Sequence, residues 1–216
     1  MILWFRNDLR THDNPALHYF LTLPKSDSPR KAFFFVSEKQ WFDHDWSPIK
    51  IDFIKRHANA LVSELAEFNI ELELINVDYF ADQITFLKEY CQANNTKEVI
   101  ANSEVEFNEQ QRDANCLAQG IPLTLFEADV IIPKGKVLNQ SGTMFKVFTP
   151  FKKAWLKYVA LNGFEYLGKA NSTDVLIKQA IEPHQIAHTN SSSAWPLAKD
   201  YESNALISFF SNKISD

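Results

Sequence analysis

Five short apolar runs with helically spaced stretches between them leave few folds open to this chain. Ile2 to Phe5, Ala32 to Val36, Ile70 to Val77, Val99 to Ala101 and Leu123 to Phe126 read as strands. All but the alternating Ile70–Val77 run are continuous enough to be buried on both faces, as parallel strands are. The first helix opens at Asn14-Pro15, where asparagine caps and proline fits the first helical position; Ala16, Leu17, Phe20 and Leu21 then share one face. Ser47-Pro48 opens the strongest periodic stretch, with Ile51, Ile54, Ala58, Leu61, Leu65 and Phe68 recurring at three and four. Two further helices are expected from about Tyr79 to Ala93 and from about Glu106 to Ala118, the latter closed by Gly120. Five strands alternating with four helices predict an α/β, Rossmann-like doubly wound sheet with right-handed crossovers and helices on both faces.

The pattern changes after Ile132-Pro133. A loop with Gly135 and Gly142 leads through Phe145 to Phe148 into a helix from about Pro150 to Leu161. Beyond Asn162 the sequence reads as an irregular linker marked by Asn171-Ser172-Thr173, Pro183 and Thr189 to Ser193, with one more short helix between Pro196 and Phe210. The expected division is therefore 1–132 for the α/β unit, 133–161 for a loop and helix packed on it, and 162–216 for a linker.

Composition sharpens this reading. At 216 residues with 45% apolar side chains, the chain can bury a core without staples. Only five glycines argue against phosphate loops, and eighteen phenylalanines ask for a large core or a face awaiting a partner. A net charge of −5 weighs against a stand-alone nucleic-acid or membrane-surface binder. Cys91 and Cys116 both fall in helix-like stretches, too few for a disulfide framework, and point to a reduced, cytoplasmic protein. No signal-peptide or membrane-spanning character is visible at the N-terminus.

In an open parallel sheet, ligands bind beyond the carboxyl ends of the strands. The loop after the first strand packs Arg6, Asp8, Arg10, His12 and Asp13 into eight residues without GxGxxG or Walker spacing. An internal network, with Arg6–Asp8 or Arg10–Asp13 pairs, is the reading preferred for it. The loop after the second strand sets Trp41, Phe42 and Trp46 around Asp43, His44 and Asp45, either a wall for a planar ligand or core packing. A metal at Asp43, His44 and Asp45, or at His184 and His188, is disfavoured: the first three are adjacent in sequence, and the histidine pair lacks the glutamate of a helical zinc motif. After the fourth strand, Glu106 and Glu109 lie one turn apart at a helix start, where the dipole favours carboxylates. The same carboxylate could also accept paired hydrogen bonds from an amidine-like edge such as a pterin presents, with Asn108 beside it. No nucleophilic triad can be assembled, and no catalytic residue is assigned.

At these loops the sequence resembles the DNA photolyase and cryptochrome family. The resemblance rests on WFRNDLRTHDNPAL (Trp4 to Leu17), QWFDHDWSP (Gln40 to Pro48), EVEFNEQQRD (Glu104 to Asp113) and MFKVFTPFKKAWLK (Met144 to Lys157). The last block looks like the folate-type cyclobutane pyrimidine dimer photolyases. What this implies is a light-harvesting antenna domain of a deoxyribodipyrimidine photolyase, which repairs ultraviolet-induced dimers with blue or near-ultraviolet light. It further implies methenyltetrahydrofolate as antenna chromophore, with Glu109 on the pterin edge, Asn108 assisting and His44 flanking. FAD and the groove for damaged DNA would belong to a C-terminal helical domain outside these residues, which makes that domain the expected partner. The 216 residues alone, expected as a monomer, could then catalyse no repair and would bind DNA poorly. Two alternatives stay open at this point: the antenna domain of a blue-light-sensing cryptochrome, and a free-standing Rossmann-like ligand-binding module. Part of the phenylalanine excess, around Phe148, Phe151 and Phe209–Phe210, should lie on a face that the helical domain covers.

Overall fold

The computed structural model describes residues 1–24, 29–170, 184–197 and 207–211. Its strands are β1 (Ile2–Phe5), β2 (Arg30–Val36), β3 (Ile70–Asn76), β4 (Val99–Ser103) and β5 (Leu123–Glu127). The helices are α1 (Pro15–Thr22), α2 (Glu38–Asp43), α3 (Pro48–Ala66), α4 (Phe80–Ala93), α5 (Phe107–Ala118) and α6 (Phe148–Asn162). The five strands form one parallel sheet in the order β3-β2-β1-β4-β5.

Alternation along the central strands sends side chains to two cores. Leu3, Phe5 and Phe34 meet Leu17 and Phe20 of α1 and Leu61 and Leu65 of α3 on one face. On the other, Ile2, Trp4, Phe33 and Phe35 meet Ile84 and Leu87 of α4 and Cys116 of α5. The sheet is thus doubly wound, as the runs in the sequence require. Leu123–Phe126 departs from expectation: β5 contains no buried residue, because it is an edge strand with only β4 beside it. The two cysteines are free and buried, and burial pushes the Cys116 thiol up to about 11, which leaves it an inert packing group.

Helix starts follow their caps. Asn14 Oδ1 accepts the Leu17 N–H at 3.0 Å, and Ser47 Oγ accepts the Lys50 N–H at 3.2 Å, each ahead of a proline. Ser47→Ala should lower stability by about 1 kcal/mol in urea denaturation, with little change in the slope of the transition. The short helix α2 was not expected. It spans six residues inside the aromatic loop, too few for a periodic signal, and its Trp41 is buried against the sheet.

Beyond β5, α6 carries no buried residue, and Phe148 is 72% exposed. Phe209 and Phe210 are exposed as well, whereas Phe151 is half-buried and meets Phe145 edge-on. The expected turn signals at Asn171-Ser172-Thr173 and Pro183, and residues 198–206 of the expected final helix, lie outside the described residues; a helical turn is present at 207–211. The irregular stretch 184–197 is irregular but fixed. It lies on α3, held by Asp52, Arg56 and Asn59. No helix among the described residues is long and apolar enough to cross a membrane.

Candidate functional site

The chain winds from β1 to β2 and β3 on one side, then returns to place β4 against the other side of β1. The crevice beyond the carboxyl ends of β1 and β4 is thus the topological switch point, the default ligand position in this architecture. Here it is filled from within. Arg6 Nη1 donates to Asp113 Oδ2 at 2.8 Å and to the Asn102 carbonyl at 3.1 Å, while Arg112 Nη2 donates to Glu104 Oε2 at 2.6 Å and to Asp113 Oδ1 at 3.2 Å. All four charged side chains are buried. The two guanidiniums lie 4.1 and 4.7 Å from the centre of the Trp4 ring. Asp8 accepts from the Arg6 N–H and from the amides of Asn14 and Asn102, which ties the first loop to β4. Burial, reinforced by the charge of Arg112, lowers the Arg6 pKa; burial raises that of Glu104 against the pull of both arginines.

The expected loop network therefore exists with different partners. Arg6 meets the Asp8 carboxylate only through its backbone N–H, and Arg10 donates to the carbonyl oxygen of Asp13 at 3.1 Å rather than to its carboxylate. The arginine partners come from β4 and α5 instead. The space left at the switch point, about 40 Å³ beside Trp4, Arg6 and Glu104, is far below the roughly 300 Å³ that a bound cofactor needs.

The three residues carried over by resemblance come together one layer further out. His44 ends α2, Asn108 and Glu109 lie in the first turn of α5, and all three line one cavity with Gln40, Trp41, Trp46 and Phe80. Trp41 and Trp46 stack nearly parallel, 7° apart in plane and 5.4 Å between centres, and Lys50 Nζ sits 3.3 Å from the centre of Trp46. Gln40 sets the tautomer of His44. Its Oε1 accepts the Phe80 N–H at 3.1 Å, so its Nε2 donates to His44 Nε2 at 2.8 Å, and a neutral ring then carries its proton on Nδ1. Glu109 stands at the positive end of α5, where its carboxylate is favoured. Burial lowers the Lys50 pKa, opposed by Glu106 and Glu109. The site thus presents a carboxylate, an amide and an imidazole N–H around an aromatic wall. Its own free volume is only about 40 Å³, as small as the space at the switch point, so these residues alone do not enclose a ring-sized ligand.

Gln40, Phe80 and Lys50 were missed by sequence reasoning. The i, i+4 spacing of Gln40 and His44 would have paired them had the α2 helix been recognised. His188, paired with His184 in the sequence reading, instead places Nδ1 3.7 Å from Asp52 Oδ1.

Comparison with known proteins agrees with this architecture. The family model described as DNA photolyase matches residues 1–169. The deoxyribodipyrimidine photo-lyase of Vibrio cholerae is 38% identical over 159 residues, which is 72% of this chain and 33% of that protein. The enzyme of the same name from Escherichia coli is 36% identical over 163 residues, with the same coverage of each. The chain thus spans about a third of the length of these relatives. Among solved structures, the archaeal photolyase from Sulfolobus tokodaii, which holds two FAD molecules and implicates a novel light-harvesting cofactor, superposes with a TM-score of 0.56. It is 21% identical and covers 70% of this chain against 33% of its own, a likeness of fold. With the family model spanning its strands, its switch-point network and the Glu104–Asp113 block, this chain belongs to the DNA photolyase family.

Proposed function

We propose that this chain is the light-harvesting domain of a deoxyribodipyrimidine photolyase, with residues 1–132 as the antenna unit, 133–161 as a loop and helix beside it and 162–216 as the linker. The observation that carries this reading is the gathering of His44, Asn108 and Glu109 on one aromatic wall outside a filled switch point. The donor set fits methenyltetrahydrofolate. Glu109 would accept two parallel hydrogen bonds from the aminopyrimidine edge of the pterin, Asn108 would supply mixed donor and acceptor groups, and His44 would offer its Nδ1–H. Trp41, Trp46 and Phe80 would exclude water from one face of the ring. When bound, this chromophore absorbs near-ultraviolet light and passes the excitation on. A tricyclic flavin in the switch-point crevice is disfavoured, since Trp4 and the two arginines occupy it.

Because the free volume beside His44, Asn108 and Glu109 is too small to enclose the chromophore, we assign the rest of its enclosure to the helical domain, together with FAD, the damaged DNA and the repair chemistry. The exposed Phe148 and Phe209–Phe210 belong to the face that this domain would cover. The free, buried cysteines suit the cytoplasm.

The test is a titration of the 216-residue chain with 5,10-methenyltetrahydrofolate, followed by its near-ultraviolet absorbance. Glu109→Ala should weaken binding at least tenfold, the loss expected for one charge-assisted pair, with smaller losses for Asn108→Ala and His44→Ala. Equal binding by the parent and Glu109→Ala chains would remove the assignment.

A further inference from the structure

A second and much larger concavity lies away from the His44–Glu109 wall and shares no residue with it. It is a groove of about 940 Å³ between α1, the segment that leaves β5 and the end of α6, a volume in the range of small-molecule sites. Five aromatic rings line it: Tyr19, Phe126, Tyr158, Phe164 and Tyr166. Tyr19 and Phe126 pack together at 5.0 Å, whereas Phe164 and Tyr166 remain more than half exposed.

The carboxylates outnumber the cations around these rings, with Arg10 and Lys134 the basic groups near Asp129. Asp13, Glu127, Asp129 and Glu165 line the groove, and among the described residues no lysine or arginine does. Arg10 reaches the rim, but its guanidinium is engaged by the carbonyl oxygens of Asp13 and Ala128. Aromatic faces attract cations through their quadrupole, and four carboxylates around them add to that attraction. An anion would meet repulsion from the same groups.

We propose that this groove is a binding site for a planar aromatic cation of small-molecule size. The ring would stack among Tyr19, Tyr158 and Tyr166, and its positive charge would face Glu127 and Asp129. The proposal stands on this groove alone and is independent of the folate assignment.

Proflavine, a planar monocation, and 8-anilinonaphthalene-1-sulfonate, an aromatic anion, are suitable probes in fluorescence titrations of the 216-residue chain. Proflavine should bind saturably at one site and the anion should not. Glu127→Gln combined with Asp129→Asn should weaken proflavine at least tenfold. Tyr158→Ala should weaken it at least fivefold, and because α6 carries no buried residue, this variant keeps both cores intact. Glu109→Ala should leave proflavine binding unchanged. Unchanged affinity in both groove variants, equal uptake of the anion, or a loss with Glu109→Ala would each overturn the proposal.

Discussion

Arg6→Ala should lower the unfolding free energy by about 3–5 kcal/mol, the loss expected when one member of a buried ion network is removed. Arg6 is 5% exposed, and the charges left behind are Glu104, Asp113 and Asp8 against the single guanidinium of Arg112. The loss would come less from the broken bonds than from carboxylates stranded where water cannot reach them. The deficit should therefore depend on pH. Glu104 already has a raised pKa in the folded chain, and withdrawal of Arg6, one of the two cations that pull it down, raises it further. A carboxyl whose folded pKa lies above its unfolded value binds more protons when native, so stability falls as pH rises through that interval. Arg6→Ala should accordingly be less impaired in mildly acidic than in alkaline solution, as measured by urea denaturation across that range. A pH-independent deficit would mean that Trp4 packing against the guanidinium, and not charge, is what Arg6 contributes.

The same network shows where sequence reading stops. The density of charge from Arg6 to Asp13 marks an internal network, but the residues that complete it, Asn102, Glu104, Arg112 and Asp113, lie about a hundred positions away. They meet Arg6 only because parallel pairing puts β4 against β1, and no local spacing encodes that. The central strands were legible because a run buried on both faces must be apolar throughout. β5 was misjudged for the converse reason: Leu123 and Leu125 are apolar on an edge strand where neither is buried. Helix α3 was legible from its cap and its apolar face, but its spacing does not encode that Asp52, Arg56 and Asn59 hold residues 184–197. His44, Asn108 and Glu109 came from matched sequence blocks, since composition left their acids and aromatics equally open to structural roles. Their convergence beside one cavity is a fact of the fold, set by α2 and the first turn of α5.

On α3, Asp52→Asn should detach residues 184–197 from the domain at a loss of about 3 kcal/mol. The Asp52 carboxylate is 2% exposed and takes five hydrogen bonds from that segment. Its Oδ1 accepts the N–H and hydroxyl of Thr189 and the N–H of Asn190, and its Oδ2 accepts the N–H and hydroxyl of Ser192. One and two turns along the helix, Arg56 donates to the carbonyls of Ser192 and Trp195, and Asn59 exchanges a reciprocal pair with the backbone of Ile186. Asparagine keeps one acceptor but turns an NH₂ group toward the two donors of Ser192, so the charge is lost and a clash of donors is gained. Burial alone would raise the Asp52 pKa; the hydrogen bonds from Ser192 and Thr189 outweigh it and hold the carboxyl well below the usual aspartate range. For a carboxyl depressed in the folded state, the added stability is present above its unfolded pKa of about 3.9 and is lost as pH falls below it. Amide hydrogen exchange at Thr189, Asn190 and Ser192 should therefore be slow at pH 6, accelerate on acidification beyond the intrinsic pH dependence while the β1 and β2 amides stay protected, and already be fast at pH 6 in Asp52→Asn. Protection that survives the substitution would show that Arg56 and Asn59 suffice to hold the segment. Its loss together with that of the sheet would make the segment part of one cooperative unit with both cores.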